Sequence, residues 1–264
     1  MTILLLMIAL LVPSWAWAEG TLTPAANPPQ PETVISVSGI PFIKASSGTM
    51  GNNGAVSAMT ALPRTFSGGA YLMLPAGAIA AGVPAASAWY WFVASSTTAG
   101  TVYNSTYTSG IPVPGTLTAF ATTGPGAFTG ITINVSGPVL TIPANLMGKN
   151  GRLESRASYS EAATVGAKGV LLTFGSTDCY SISTTSAASL SATCDLTNRG
   201  VTNIQTLNYT YATSGAGAAN VTQGVDSAEA TTANVTLTFK MNVTGVATDH
   251  IILESHRVII ISGN

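Results

Sequence analysis

Charged residues are what this sequence has least of. Of its 264 residues, 7% are Asp, Glu, Lys or Arg, whereas a globular protein has about 25%. The nine basic residues, against ten acidic ones, are spread along the chain and form no nucleic-acid-binding patch. A surface this poor in Lys and Glu has little electrostatic protection against association. We therefore expect neighbouring subunits to cover much of it.

The residue patterns of a catalytic or metal site are also missing. The two histidines, His250 and His256, have no metal-ligand spacing, and no cluster of cysteines or carboxylates joins them. No G-x-S-x-G motif, phosphate-binding loop or paired-carboxylate motif is present. The sequence therefore predicts no enzyme, no cofactor and no metal site, and His256 is interpreted as a half-buried or interface residue of a strand. A secreted carbohydrate-active enzyme that uses His256 is the minor alternative.

Long apolar runs are absent outside the N-terminus. Residues 3–12 are ten apolar residues followed by Ala16-Trp17-Ala18, which fits a signal peptide and is too short to span a membrane comfortably. No Lys or Arg precedes the run. Residues 1–18 are thus either a cleaved export signal or an apolar arm that packs into an assembly. The Pro-rich residues 19–33 predict an extended linker.

What the sequence does contain is a series of β-strand patterns. Residues 88–93 are an unbroken apolar and aromatic run, which predicts a strand that is buried on at least one face. Asn53-Gly54 predicts a hairpin turn. Residues 76–81 indicate a short helical turn. The long final run, 251–261, predicts a strand whose side chains alternate strictly between two faces, with Glu254, His256 and Val258 on the same face.

About ten such strands at short spacing, separated by Gly, Pro and Asn turns and with almost no helix, are typical of a β-sandwich or barrel. The fold class predicted is all-β, an antiparallel β-sandwich of jelly-roll type. It would occupy residues 34–264, after the apolar N-terminal segment and the linker.

The only two cysteines, Cys179 and Cys194, are fifteen residues apart. If the chain is exported, a disulfide between them is expected to add about 3 kcal/mol of stability. If it folds in the cytoplasm, they would be two buried free thiols. The intervening residues are consistent with a hairpin.

Four aromatic residues are candidates for a sugar-binding platform. Trp89 and Trp91 are better explained as core residues of a strand pair. Tyr103 and Tyr107 have polar neighbours in the sequence and are the candidate surface-contact residues.

The chain also resembles a largely uncharacterised family of virion structural proteins of tailed bacteriophages, over most of residues 40–262. The segments that carry the resemblance are SSGTMGNNGA (46–55), LP (62–63), YLMLPA (71–76), WYWF (89–92), SSTTAGTVYN (95–104), TGPGAFTG (123–130), IPAN (142–145), GKNG (148–151), NRG (198–200) and LES (253–255). The family does not normally bear a secretion signal, so this N-terminus departs from its pattern.

The resemblance implies a non-enzymatic component of a phage particle, in the role of capsid decoration, head fibre, or tail-fibre or host-contact module. Its partners would be further copies of itself, with a trimer as the guess from fibre architecture, other virion proteins, and a host surface glycan. The alternative is an exported bacterial surface or pilus-like adhesin that binds glycans. The signal-like start, the Pro-rich linker and the cysteine pair favour this alternative.

Overall fold

The computed structural model describes residues 32–77, 87–107, 119, 126–129, 135–214, 223–243 and 248–263. The apolar segment 1–18, the linker up to residue 31 and most of the helical turn expected at 76–81 lie outside these residues. The described strands, in chain order, are β1 (Glu32–Ser38), β2 (Phe42–Ala45), β3 (Ser47–Met50), β4 (Ala55–Ser57), β5 (Ala70–Leu74), β6 (Ala88–Ala94), β7 (Gly100–Thr106), β8 (Gly126–Thr129), β9 (Val135–Ile142), β10 (Arg152–Glu161), β11 (Lys168–Phe174), β12 (Thr177–Thr184), β13 (Ser189–Asn198), β14 (Gln205–Thr213), β15 (Gln223–Ser227), β16 (Val235–Val243) and β17 (His250–Ile261).

These strands form two sheets. The large sheet has the order β15-β14-β13-β10-β17-β2-β5-β6-β7-β4-β3-β8, with β1 also paired to β17, and the small sheet has the order β12-β11-β16-β9. Among the described strands, β2 and β5 form the one parallel pair, and the other pairs are antiparallel. The prediction of an all-β, antiparallel β-sandwich is confirmed, and its jelly-roll type stays a prediction.

The first hydrophobic core lies between the two sheets. The small sheet contributes alternate residues such as Leu172 and Phe239, and the large sheet contributes Leu153, Val258 and Ile260, all of them fully buried. Each such side chain stabilises the fold by about 1.5–3 kcal/mol relative to its exposed state. Alternation along β11 and β16 is therefore what fixes how the small sheet sits on the large one.

A second core lies on the opposite face of the central strands of the large sheet. Phe42 and Tyr71 point into the first core, while their neighbours Ile43 and Leu72 point into the second. In β6, Trp89 and Trp91 enter the first core. The predictions that residues 88–93 form a buried strand and that the two tryptophans are core residues are confirmed. Because these strands are buried on both faces, they read in the sequence as unbroken apolar runs.

The last strand, β17, is as long as predicted, but its strict alternation is wrong. Opposite it, Ser158 pairs with Ser255 and the next residue, Tyr159, pairs with Leu253, which leaves Glu254 as an extra residue. This β-bulge shifts the side-chain pattern by one position. Leu253 before the bulge and Val258 after it consequently face the same core, and the Glu254 carboxylate accepts a hydrogen bond from the Ser160 hydroxyl at 2.6 Å.

The Asn53-Gly54 turn is confirmed. It joins β3 to β4, which pair in antiparallel fashion, and both residues have left-handed backbone conformations, with φ of 55° and 72°. Asn and Gly are the residues that adopt this conformation at least cost.

Replacing Gly54 with Ala is expected to lower the free energy of unfolding by about 1 kcal/mol, because a Cβ is disfavoured at positive φ. The matched control is Gly68→Ala, since a Cβ there meets no atom within 4 Å. Chemical denaturation of both variants measures the difference. Equal stabilities for the two variants would contradict the prediction.

Candidate binding cleft

A cleft of ≈ 420 Å³ opens between β1 of the large sheet and β9 of the small sheet. Among the described strands, β1 pairs with β17 alone and β9 with β16 alone, so each of the two strands that flank the cleft has one edge without a partner strand. We call it the aromatic cleft, and its lining residues are 35–40, Phe42, Tyr71, Tyr107, 139–141 and His256. Its volume is within the range of small-molecule sites.

Three aromatic rings form the floor of the aromatic cleft. The ring of Phe42 stacks on that of Tyr71, with centroids 5.0 Å apart. The ring of Tyr107 meets both edge-on, at 5.0 Å from Phe42 and 5.2 Å from Tyr71. Trp89 and Trp91 then pack edge-on against Phe42 and Tyr71 from the core side. Offset and edge-to-face contacts of this kind stabilise aromatic clusters, so the rings of the floor support one another.

One polar pair faces the cleft beside these rings. The Ser36 hydroxyl on β1 lies 2.9 Å from Nε2 of His256 on β17. The other ring nitrogen of His256, Nδ1, is buried and has no hydrogen-bond partner among the described residues, and the imidazole ring lies 5.0 Å from the ring of Phe239. Within that part of the chain, no carboxylate orients His256 through Nδ1 as one orients a catalytic histidine.

The aromatic cleft is uncharged at neutral pH. Burial lowers the pKa of His256 to about 4, so its imidazole is neutral. Burial raises the pKa of Tyr71 to about 12, with a further contribution from Tyr107, and burial also raises the pKa of Tyr107. Asp, Glu, Lys and Arg are absent from its described lining. Such a site suits a neutral ligand with an apolar face.

The rim of the cleft exposes apolar side chains to solvent. Val37 on β1 is 67% exposed and Val139 on β9 is 46% exposed. Exposed valines on both sides of one opening form the kind of surface that a ligand or partner covers.

The two tyrosines predicted as surface contacts are separated by the structure. Tyr107 follows β7 and lies in the cleft floor, half-buried. Tyr103 is also half-buried, packs against the first core and makes an isolated bridge to Ala119, and it is not part of the cleft lining. A contact role for either residue stays a prediction.

Cys179 and Cys194 form a disulfide, with their Cα atoms 6.2 Å apart. Cys179 lies on β12 of the small sheet and Cys194 on β13 of the large sheet. The expectation of a hairpin between them is therefore wrong. β12 pairs with β11, while β13 pairs with β10 and β14, so the disulfide ties the two sheets together across the first core.

Sequence reasoning missed Ser36, Phe42 and Tyr71 as site residues. They belong to ordinary short strand patterns, and Ser36 meets His256 only because β1 pairs with β17 across 220 residues of sequence. No local signal in the sequence carries that pairing.

No protein-family model matches the chain, and no curated protein matches it. Solved structures similar to it include peanut lectin with a nine-residue peptide, at 7% identity over 48% of this chain and 84% of that one. Lectin UEA-II complexed with galactose matches at 10% identity, and lectin II from Ulex europaeus at 11%, each over 54% of this chain and 89% of the other. The TM-score is 0.26 in all three cases. Similarity at this level carries no argument about function.

In the described part of the chain, three or more His, Cys, Asp or Glu side chains nowhere come together in an arrangement that could hold a metal ion. The same residues include no helix that is long and apolar enough to cross a membrane.

Proposed function

We propose that this chain is a non-enzymatic structural protein of a tailed-phage particle and that its aromatic cleft is a host-contact site for a neutral sugar. The observation that carries the contact role is the aromatic-floored cleft between β1 and β9, whose described lining is uncharged. The phage assignment is supported by the sequence resemblance over residues 40–262. The low charge of the chain suits a surface that is covered by neighbouring subunits.

The chemistry of the cleft fits a sugar ring in two respects. A sugar has an apolar face of C–H groups, which packs well on rings such as those of Tyr71 and Tyr107. Its hydroxyl groups need hydrogen-bond partners, and the Ser36–His256 pair offers both a donor and an acceptor. Since the described lining of the cleft provides no cation to pair with a carboxylate, a neutral sugar is favoured over an acidic one.

One observation favours the alternative of an exported surface adhesin. A disulfide such as Cys179–Cys194 persists in oxidising compartments and is rare in proteins that stay in the cytoplasm. The two functions differ in where the protein is found. Mass spectrometry of purified phage particles supports the virion role if it detects the chain, whereas detection only in the extracellular fraction of uninfected cells supports the adhesin.

The Tyr107→Ala variant is expected to bind its glycan at least about tenfold more weakly, because a tenfold loss corresponds to 1.4 kcal/mol and an aromatic contact contributes about that much. A panel of neutral and acidic glycans first identifies the ligand, and calorimetry then compares the variants. Tyr103→Ala is the matched control, since it removes the same side chain from the same strand region outside the cleft. Thermal melting verifies that both variants fold.

Binding of a neutral glycan that Tyr107→Ala weakens and Tyr103→Ala leaves intact supports the contact site. A panel without any bound glycan, or equal affinities for the two variants, contradicts it.

A further inference from the structure

A second polar cluster lies inside the sandwich, separate from the aromatic cleft. Lys168 begins β11 of the small sheet, and Asp249 directly precedes β17 of the large sheet. Both side chains are fully buried, with 0% of their side-chain surfaces exposed, and Lys168 Nζ lies 3.7 Å from Asp249 Oδ1. A buried ion pair of this kind is costly, because both charges leave water and the Coulomb attraction repays that only in part.

A buried carboxyl group lies next to this pair. Glu161 ends β10, is 5% exposed and pairs in register with Ile251, two residues after Asp249. Its Oε2 accepts a hydrogen bond from Thr184, the residue directly opposite Lys168 in the β11–β12 register. Burial raises the pKa of Glu161, and the opposing effects of Thr184 and of the Lys168 charge reduce that rise.

Each carboxyl group of the cluster has one oxygen without a partner. Asp249 Oδ1 accepts from the Thr164 hydroxyl, whereas Asp249 Oδ2 and Glu161 Oε1 are buried with no hydrogen-bond partner in the part of the chain that the structure describes. An unsatisfied buried carboxylate oxygen costs free energy. A chemical step that removes one of these oxygens would relieve part of that cost.

The position of the Lys168 ammonium is closely fixed. It donates to the carbonyl oxygens of Gly166 at 2.7 Å, Thr185 at 3.1 Å and Thr164 at 3.2 Å. These contacts hold Nζ beside Asp249, and two groups held in this way react as if they were at very high concentration.

We propose that Lys168 and Asp249 condense to form an intramolecular isopeptide bond that covalently joins the two sheets, with Glu161 as the proton-transfer group. The Lys168 ammonium passes one proton, by way of the Glu161 carboxylate, to the Asp249 carboxylate and becomes a neutral amine. The amine lone pair attacks Cγ of the Asp249 carboxyl group, and Glu161 takes one proton from the attacking nitrogen. Glu161 gives that proton to the hydroxyl of the tetrahedral carbon, which leaves as water, so that Glu161 is a carboxylate again.

The step balances without an oxidant or a cofactor. One ammonium and one carboxylate become one amide and one water molecule. The reaction converts two buried charges into a neutral group, which removes the desolvation cost of the pair. It also removes one carboxyl oxygen of Asp249, and the new amide N–H keeps one hydrogen-bond donor for the neighbouring carbonyl groups.

The test is the intact mass of the full chain after reduction of the disulfide. The expected mass is lower than the sequence mass by one water molecule. Proteolysis followed by tandem mass spectrometry is expected to find a branched peptide that joins Lys168 to Asp249. This measurement needs no variant, so it does not depend on whether a mutant folds.

Three variants and one control variant test the assignment of the residues. Lys168→Arg keeps the positive charge and should restore the full mass, while Lys240→Arg, a matched control on β16, should keep the deficit. Glu161→Gln should lower the cross-linked fraction and Glu161→Asp should restore part of it. A cyclic imide at Asp249 would also lose water, but it would survive Lys168→Arg and give no branched peptide.

A wild-type mass equal to the sequence mass, without a branched peptide, overturns the proposal and leaves the pair as a buried salt bridge. A water loss that survives Lys168→Arg overturns it as well. Neither result bears on the aromatic cleft, since the two sites share no residue.

Discussion

Removal of the Cys179–Cys194 disulfide is expected to lower the free energy of unfolding by about 3 kcal/mol, the loop-entropy value for a closed loop of this length. For a domain of this size, the melting temperature should fall by roughly 6–12 °C. The bond joins β12 to β13 across the first core. Without it, the two segments move independently in the unfolded chain, whose conformational entropy rises. Calorimetry of the Cys179→Ala/Cys194→Ala double variant measures the effect.

Comparison of the single variant Cys179→Ala with the double variant distinguishes the stability that the disulfide bond adds from the stability that packing of the sulfur atoms adds. Both sulfur atoms are buried, but loss of either one already breaks the bond. The single and double variants should therefore have similar stabilities, both well below the wild type. A double variant that melts at the wild-type temperature would show that the disulfide adds no stability.

The second large effect is a loss of stability on acidification, caused by His256. The folded-state pKa of His256 is lowered to about 4 by burial, from a model-compound value of 6.5. Below pH 6.5 the unfolded chain takes up a proton that the folded chain does not, so stability falls as the pH drops towards 4. Below that value both states are protonated and the effect is complete. The full loss is on the order of 3 kcal/mol.

Urea denaturation of the wild type and of His256→Gln between pH 4 and pH 7 checks this expectation. Gln can keep a hydrogen bond to Ser36 without titrating. Burial also lowers the pKa of His250, in the same direction, whereas the raised pKa of Glu161 acts in the opposite direction. Both groups are present in both proteins, so the difference between the two curves isolates His256. Parallel curves would contradict the assignment.

Local rules were sufficient for much of the fold. The buried aromatic strand can be predicted from residue types alone. An unbroken apolar run that includes Trp89 and Trp91 is stable only where these side chains are removed from water. The Asn53-Gly54 turn follows from the few residues that tolerate positive φ. The class of fold then follows from the number of short strands and turns.

Other features depend on pairings that local patterns do not contain. The bulge at Glu254 arises because its carboxylate reaches Ser160 and Arg64 on neighbouring elements, and one inserted residue reverses the faces of everything after it. The spacing of the two cysteines indicated a hairpin because fifteen residues are enough to form one. The two strands that carry them, however, belong to different sheets. Tyr71 and His256 line the same cleft only because β2 pairs with both β5 and β17 in the large sheet.

The pairing of β1 with β17 places Glu32 opposite Ile261, so the two ends of the sandwich lie side by side. A tensile load applied between these ends would break the hydrogen bonds of this pair one after another, as in a zipper. Within the described strands β1 has no second neighbour, so it would peel away before the rest of the large sheet. Because residues 35–40 form one wall of the aromatic cleft, tension on the ends would open the cleft.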